Sequence, residues 1–139
     1  MLTCWLLLSR CVCLPVPGGL EAQREAAWNS AGEVLEVTAV AEEIVAWERL
    51  SAGSDVDSVA ETIAFRVRVH RRFKGADGDT LTVLAPWQTT SCGADLPLGE
   101  RVVVYLRDRQ LFHCTRRARG DELAAEQAWL ERRSRRRGA

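Results

Sequence analysis

No stretch of this chain is apolar for long enough to cross a bilayer; the longest compact run, Cys4-Trp5-Leu6-Leu7-Leu8, is too short for a spanning helix. No glycine-rich loop could cradle a phosphate, and Ser91 lacks the flanking glycines of a nucleophile elbow. Histidine is scarce: His70 and His113 fall on different predicted strands without a companion ligand set. Lysine is scarcer, since eighteen of the nineteen basic residues are arginine. These absences argue against a membrane-spanning helix, a nucleotide-binding loop and a serine hydrolase, and no enzyme is expected. No cofactor of its own is expected either.

What is present is a small oxidisable framework. At 139 residues and 47% hydrophobic content the chain suits one globular domain able to bury its own core. The formal net charge is zero, but Arg132-Arg133-Ser134-Arg135-Arg136-Arg137 concentrates positive charge at the end, so residues 132–139 read as a basic, disordered tail. Residues 1–10 read as an atypical secretion signal: the apolar run is right, but no positive charge precedes it and Leu8-Ser9-Arg10 replaces the usual small residues. Loss of Cys4 with that leader leaves four cysteines, Cys11, Cys13, Cys92 and Cys114, the even set expected of a secreted or periplasmic domain. Cys11 and Cys13 are two residues apart, so on an extended segment they point to opposite sides and each must bridge elsewhere. Four cysteines allow three connectivities, which spacing does not choose among.

Periodicity supplies the elements. Residues 19–30 read as a short helix and 34–40 as a strand, while Glu42 to Leu50 fits either a helix or a bent continuation of that strand. The best alternation follows. Phe65, Val67, Val69 and Phe73 share one face with Arg71, and Arg66, Arg68, His70 and Arg72 take the other. After the turn Lys74-Gly75-Ala76-Asp77-Gly78-Asp79, residues 80–85 form another strand. Residues 101–106 and 110–114 read as a hairpin turning at Asp108 and Arg109. A closing helix opens at Gly120-Asp121-Glu122-Leu123 with Asp121 as N-cap, and Trp28 and Trp129 at helical positions read as core or helix-packing residues. The expectation is a mainly β domain, a five-stranded Greek-key barrel flanked by a short N-terminal and a C-terminal helix.

Several segments, in order, carry a resemblance. They are Cys11-Val12-Cys13-Leu14-Pro15, Trp28-Asn29-Ser30-Ala31-Gly32-Glu33-Val34, Phe65 through Phe73-Lys74-Gly75, Ala85-Pro86, Ser91-Cys92-Gly93, Gly99-Glu100-Arg101-Val102-Val103-Val104 and Cys114-Thr115. Over residues 11–131 the chain resembles the netrin-like domain, most specifically the inhibitory domain of the tissue inhibitors of metalloproteinases. The resemblance implies an OB-fold barrel and the pairs Cys11–Cys92 and Cys13–Cys114, closing loops of about 80 and about 100 residues worth about 4 to 5 kcal/mol each. It also implies a function: the amino group and carbonyl oxygen of Cys11 chelate the zinc of a metalloendopeptidase, Val12 enters its specificity pocket, and Cys13, Leu14, Thr90 and Ser91 widen the contact. The amine must be free, because an amide nitrogen has its lone pair delocalised whereas an α-amine, with a pKa of about 8, offers one to a metal.

Other readings of the same residues differ in kind. The cysteines could staple a noncatalytic extracellular or periplasmic interaction module that binds another protein. In a reduced compartment they could hold zinc, although a C-x-C pair with two isolated partners lacks the usual knuckles. The arginine-rich strand face could attract nucleic acid, but Phe65 and Phe73 fall on the opposite side and the stacking platform is missing. Counting thiols in the denatured mature protein separates disulfide from metal: we expect none to react, and four reactive thiols with stoichiometric zinc would establish the metal site.

Overall fold

The computed structural model describes residue 13 and residues 16–50, 58–75, 78–86, 96–111 and 114–136. Helix α1 (Gly19–Ser30) comes first and ends where Ala31 turns extended and its N–H bonds to Ala27 O at 3.0 Å. Strands β1 (Glu33–Leu50), β2 (Ser58–Lys74), β3 (Thr80–Pro86), β4 (Arg101–Leu106) and β5 (Arg117–Ala118) follow, and helix α2 (Leu123–Arg135) closes the chain. The strands form one antiparallel sheet in the order β3-β2-β1-β4-β5. The mainly β architecture with two helices therefore agrees with the sequence reading.

Residues 42–50, ambiguous between helix and strand, extend β1. Register shifts at Ala39/Ala41 and Ile44/Ala46 mark bulges, which bend a strand and increase its twist while keeping it paired. At the other end of the hairpin Gly75 adopts φ 80° as the chain turns, and a Cβ there would lie 2.5 Å from Gly32 O, so only glycine fits.

Burial explains the two kinds of strand. The concave side of the sheet gathers Leu35, Val37 and Ala39 with Phe65 and Val67, Leu81 and Val83, and Val102, Val104 and Leu106; Leu96 and Leu111 join them. On the opposite side the helices cover the start of β1, β4, β5 and the end of β2, where Val34, Val103 and Tyr105 meet Trp28, Trp129 and Leu130. Both tryptophans are buried, as core or helix-packing residues should be, and their indole rings meet edge to face at 6.4 Å. Buried on both faces, β4 is continuously apolar from Val102 to Leu106. Strand β2 has no such cover over its middle, and there the sequence alternates.

That alternation does not run unbroken to Phe73. Val37 pairs with Val69 but Glu36 pairs with Arg71, leaving His70 as an extra residue. The period-2 rule flips across such a bulge. Val69 therefore packs on the concave core, whereas Phe73 joins the helix-covered cluster and Arg71 reaches Glu131 of α2 at 2.9 Å. The expectation that Phe65, Val67, Val69 and Phe73 share one face with Arg71 is corrected accordingly.

The turn at Asp108 and Arg109 is where the sequence put it: both residues have positive φ, 52° and 56°, and Gln110 N–H bonds back to Arg107 O at 3.0 Å. Paired left-handed residues give a two-residue hairpin whose twist matches its strands. The return strand expected over 110–114 is shorter. Gln110 makes isolated bridges to Arg107 and, in parallel, to Leu84 of β3, supported by Leu84 N–H to Arg109 O at 3.0 Å and Leu111 N–H to Leu84 O at 2.8 Å. The fifth strand is instead Arg117–Ala118, and the continuous ladder stays open between β3 and β5. Phe112 and His113 lie outside the described residues.

Two expectations at the C-terminal helix also change. Asp121 lies inside a 3-10 turn (Gly120–Glu122), and Glu122 precedes α2 without a side-chain cap. The helix continues through Arg132, Arg133 and Arg135, the first arginines of the segment read as a tail. Arginine is a good helix former, cations near a C-terminus suit the helix dipole, and Arg133 bonds to Glu25 of α1 at 3.1 Å while lying over Trp28.

The face assignment generates a contrast. Phe65→Ala should cost about 3–5 kcal/mol by urea unfolding because it hollows the concave core, whereas Arg66→Ala should stay within about 0.5 kcal/mol. Comparable losses from the two would refute the assignment.

Candidate functional site

The site predicted from sequence is a leading segment held against the sheet. A disulfide joins Cys13 to Cys114, with Cα atoms 5.4 Å apart and a sequence separation of 101. Cys13 lies just ahead of α1, and Cys114 lies between the crossing at Leu84 and strand β5. The bond thus fastens the beginning of the domain to its last third, and a loop of that size removes about 4.7 kcal/mol of unfolded-chain entropy. Both sulfur-bearing residues are exposed. Beside them opens a cleft of about 680 Å³ between α1 and the end of β4, lined in part by Val16, Ala27, Tyr105, Arg107 and Arg116.

Cys11, Val12, Leu14, Thr90, Ser91 and Cys92 lie outside the described residues, and with them the Cys11–Cys92 pair, the chelating amine and the leader over residues 1–10. The structure therefore brings together one of the two expected cysteine pairs. His70 bonds through Nε2 to Thr38 Oγ1 at 2.7 Å, linking neighbouring strands across its bulge. Among the described residues no three His, Cys, Asp or Glu side chains gather as a metal site, and no helix is long and apolar enough to cross a membrane.

Beneath the staple sits a charged hub that the sequence reading did not single out. Glu126 of α2 is fully buried, and its carboxylate accepts hydrogen bonds from Arg116 Nε and Nη2 at 2.7 Å each, from Arg24 Nε at 2.7 Å and from Tyr105 Oη at 2.5 Å. The forked contact to Arg116 is the strong, geometrically specific kind. Arg116 follows Cys114 by two residues, Arg24 shares an i,i+4 stripe of α1 with Trp28, and Tyr105 stands on the helix-covered face of β4. One carboxylate consequently ties together α1, β4, α2 and the segment carrying Cys114. The sequence did hold a signal: Glu126 stands three and four residues before the buried Trp129 and Leu130, an acid on the apolar stripe of its helix.

Burial by itself would raise the Glu126 pKa, but hydrogen bonds from Arg116, Tyr105 and Arg24 outweigh it and hold the carboxyl down at about 2. The same contact acts on its partners. Burial and the bond to Glu126 push the Tyr105 hydroxyl far above its usual range, and that bond raises the Arg116 guanidinium. A second buried acid, Glu36, accepts from Gln127 Nε2 of α2 and lies 3.8 Å from Arg101 Nη1. Both carboxylate oxygens of Glu126 are occupied by donors from its own fold, whereas Glu36 has one hydrogen bond and one more distant ion pair.

No family model matches this chain, and neither does any curated protein sequence.

Because the folded pKa of Glu126 is depressed from 4.5 to about 2, its contribution is complete above pH 4.5 and disappears as pH falls through 2. The shift corresponds to about 3 kcal/mol. Unfolding free energies measured from pH 6 to pH 2 should fall across that window. In Glu126→Gln they should be lower by about 3–5 kcal/mol near neutrality and much flatter with pH. An unchanged pH profile in the variant would exclude Glu126 as the source.

Proposed function

We propose that this is an exported, disulfide-stapled protein-binding domain of the netrin-like type, which inhibits zinc metalloendopeptidases with its leading cysteine. The observation that carries the reading is the Cys13–Cys114 bond, which holds the segment just behind Cys11 against the folded body. Disulfides persist in oxidising compartments, which supports a secreted or periplasmic location. The isolated parallel bridge from Leu84 to Gln110 supports the barrel reading, since Gln110 also bridges Arg107 just beyond β4 and so brings that end of the sheet beside β3.

In this mechanism the inhibitor supplies ligands and the protease supplies the metal. The deprotonated amine and the carbonyl oxygen of Cys11 occupy the position where the catalytic zinc holds its water, so the nucleophile is lost. Val12 fills the adjoining apolar pocket, and Cys13, Leu14, Thr90 and Ser91 extend the contact. Rigidity matters because a segment already ordered loses little entropy on docking. The hub around Glu126 strengthens this by fixing Arg116, two residues from the anchoring Cys114.

A noncatalytic interaction module is the second reading. It is favoured by Val40, Ile44, Val45 and Leu98, which are 45 to 52% exposed around the part of β1 that has passed beyond its pairing with β4.

The two readings part at the N-terminus. The oxidised domain beginning at Cys11 should inhibit at least one of a panel of zinc endopeptidases, and the same domain with one alanine added before Cys11 should not. Equal inhibition by both, or by neither, would reject the chelation mechanism and leave the interaction module.

A further inference from the structure

The charges of the hub under the staple do not balance. One carboxylate, Glu126, is shared by two guanidinium groups, Arg24 and Arg116, which leaves one positive charge over in a cluster where those side chains are only 0, 12 and 16% exposed. The other acids of α1 are committed elsewhere, Glu21 to Trp129 Nε1 at 2.9 Å and Glu25 to Arg133 Nε at 3.1 Å. A charge kept that far from water is costly without a counter-ion.

That charge borders the cleft beside Cys13 and Cys114. Arg116 lines the cleft, and since its Nε and Nη2 make the fork to Glu126, its Nη1 keeps two N–H donors with no partner among the described residues. Arg107, exposed just past β4, adds a second guanidinium to the lining, and among the described residues no acid contributes to it. The remaining wall is largely small and aliphatic, with Val16, Ala26, Ala27 and Leu106, while the one aromatic, Tyr105, is buried with its hydroxyl on Glu126. Carbonyls at the end of α1 would repel an anion, but Ala26 O accepts from Ser30 Oγ at 2.9 Å and Ala27 O from Ala31 N–H at 3.0 Å. At about 680 Å³ the cleft falls within the range of about 300–1,000 Å³ usual for small-molecule sites.

We infer that this cleft binds a medium-chain aliphatic carboxylate, with its head group on Arg116 and Arg107 and its chain along Val16, Ala26 and Ala27. Guanidinium matches carboxylate oxygens through paired hydrogen bonds, and a bound head group would bring the hub to neutrality. Small inorganic anions fit less well. They would meet the charge but leave the aliphatic wall uncovered, and an aromatic acid would find no open ring to stack on, because Tyr105 is buried. The site uses no atom of Cys11 and stands or falls separately from protease inhibition.

Octanoate titrated calorimetrically into the full oxidised chain should bind one to one and saturate. Octan-1-ol, with the same chain and no charge, should bind about tenfold more weakly or worse, because the charged hydrogen bonds are lost. The side-chain guanidinium resonance of Arg116 should shift with octanoate and not with octan-1-ol. Ala26→Phe, which fills the cleft from α1, should weaken octanoate about tenfold or more without lowering the thermal unfolding temperature. Arg107→Gln repeats the test at an exposed position that packs against nothing, and should weaken octanoate about threefold. The control Ile44→Ser, in the exposed apolar patch of β1, should bind as the parent does. No saturable binding, several octanoates per chain, equal affinity for octan-1-ol, undiminished binding by both cleft variants, or an equal loss in Ile44→Ser would overturn the assignment.

Discussion

A carboxylate cannot be taken out of water alone, and the arrangement of this domain follows from how Glu126 is kept company. Removing a charge of that size from solvent costs several kcal/mol unless nearly every lone pair finds a donor. Here the donors come from Arg24, 102 residues earlier in the chain, and from Tyr105 and Arg116, on two other parts of the fold. Satisfying one acid thus requires α1, β4, α2 and the Cys114 segment to dock together. Burial of apolar surface drives these elements together without direction; the hub decides how they are oriented. The edge-to-face pair of Trp28 and Trp129 fills the space beside it, so orientation and packing reinforce each other at the same junction.

The two faces of the sheet divide labour around that junction. Strand β4 is sandwiched between the core and the helices and runs apolar from Val102 to Leu106, while β1, sandwiched only over its first residues, carries Glu36 and Thr38 among its apolar ones. Strand β2 is covered on one side only over its middle, and spends apolar residues at every second position. The bulge at His70 marks the changeover: past it the side chains exchange faces, Phe73 passes under the helices and Arg71 reaches Glu131. A single extra residue lets one strand belong to both environments, which an unbroken strand could not do.

Much of this was legible in the sequence because it was local. Alternation over 65–69, the continuous run 102–106, the turn at Asp108 and Arg109, and the helix over 19–30 all depend on neighbours within a few residues. What was not legible depended on partners far away. Residues 42–50 carry both helix and strand tendencies, and pairing with β2 resolves them. The exchange of faces at His70 is invisible until register is known. The extension of α2 through Arg135 draws on Glu25, more than a hundred residues earlier. Of the candidate site, the pair Cys13 and Cys114 was suggested by family resemblance and not by spacing. The hub residue Glu126 was overlooked because an acid on an apolar stripe looks like an error until its donors are known.

The staple has a mechanical consequence. Tension applied ahead of Cys13 and behind Cys114 passes through the sulfur bridge and bypasses every strand of the sheet except the short β5. The hydrogen-bonded ladders between β1, β2, β3 and β4 would carry no load in such a pull. For the same reason, a protease cutting once anywhere between those two cysteines would leave both pieces covalently joined, so a nicked domain would still travel as one molecule.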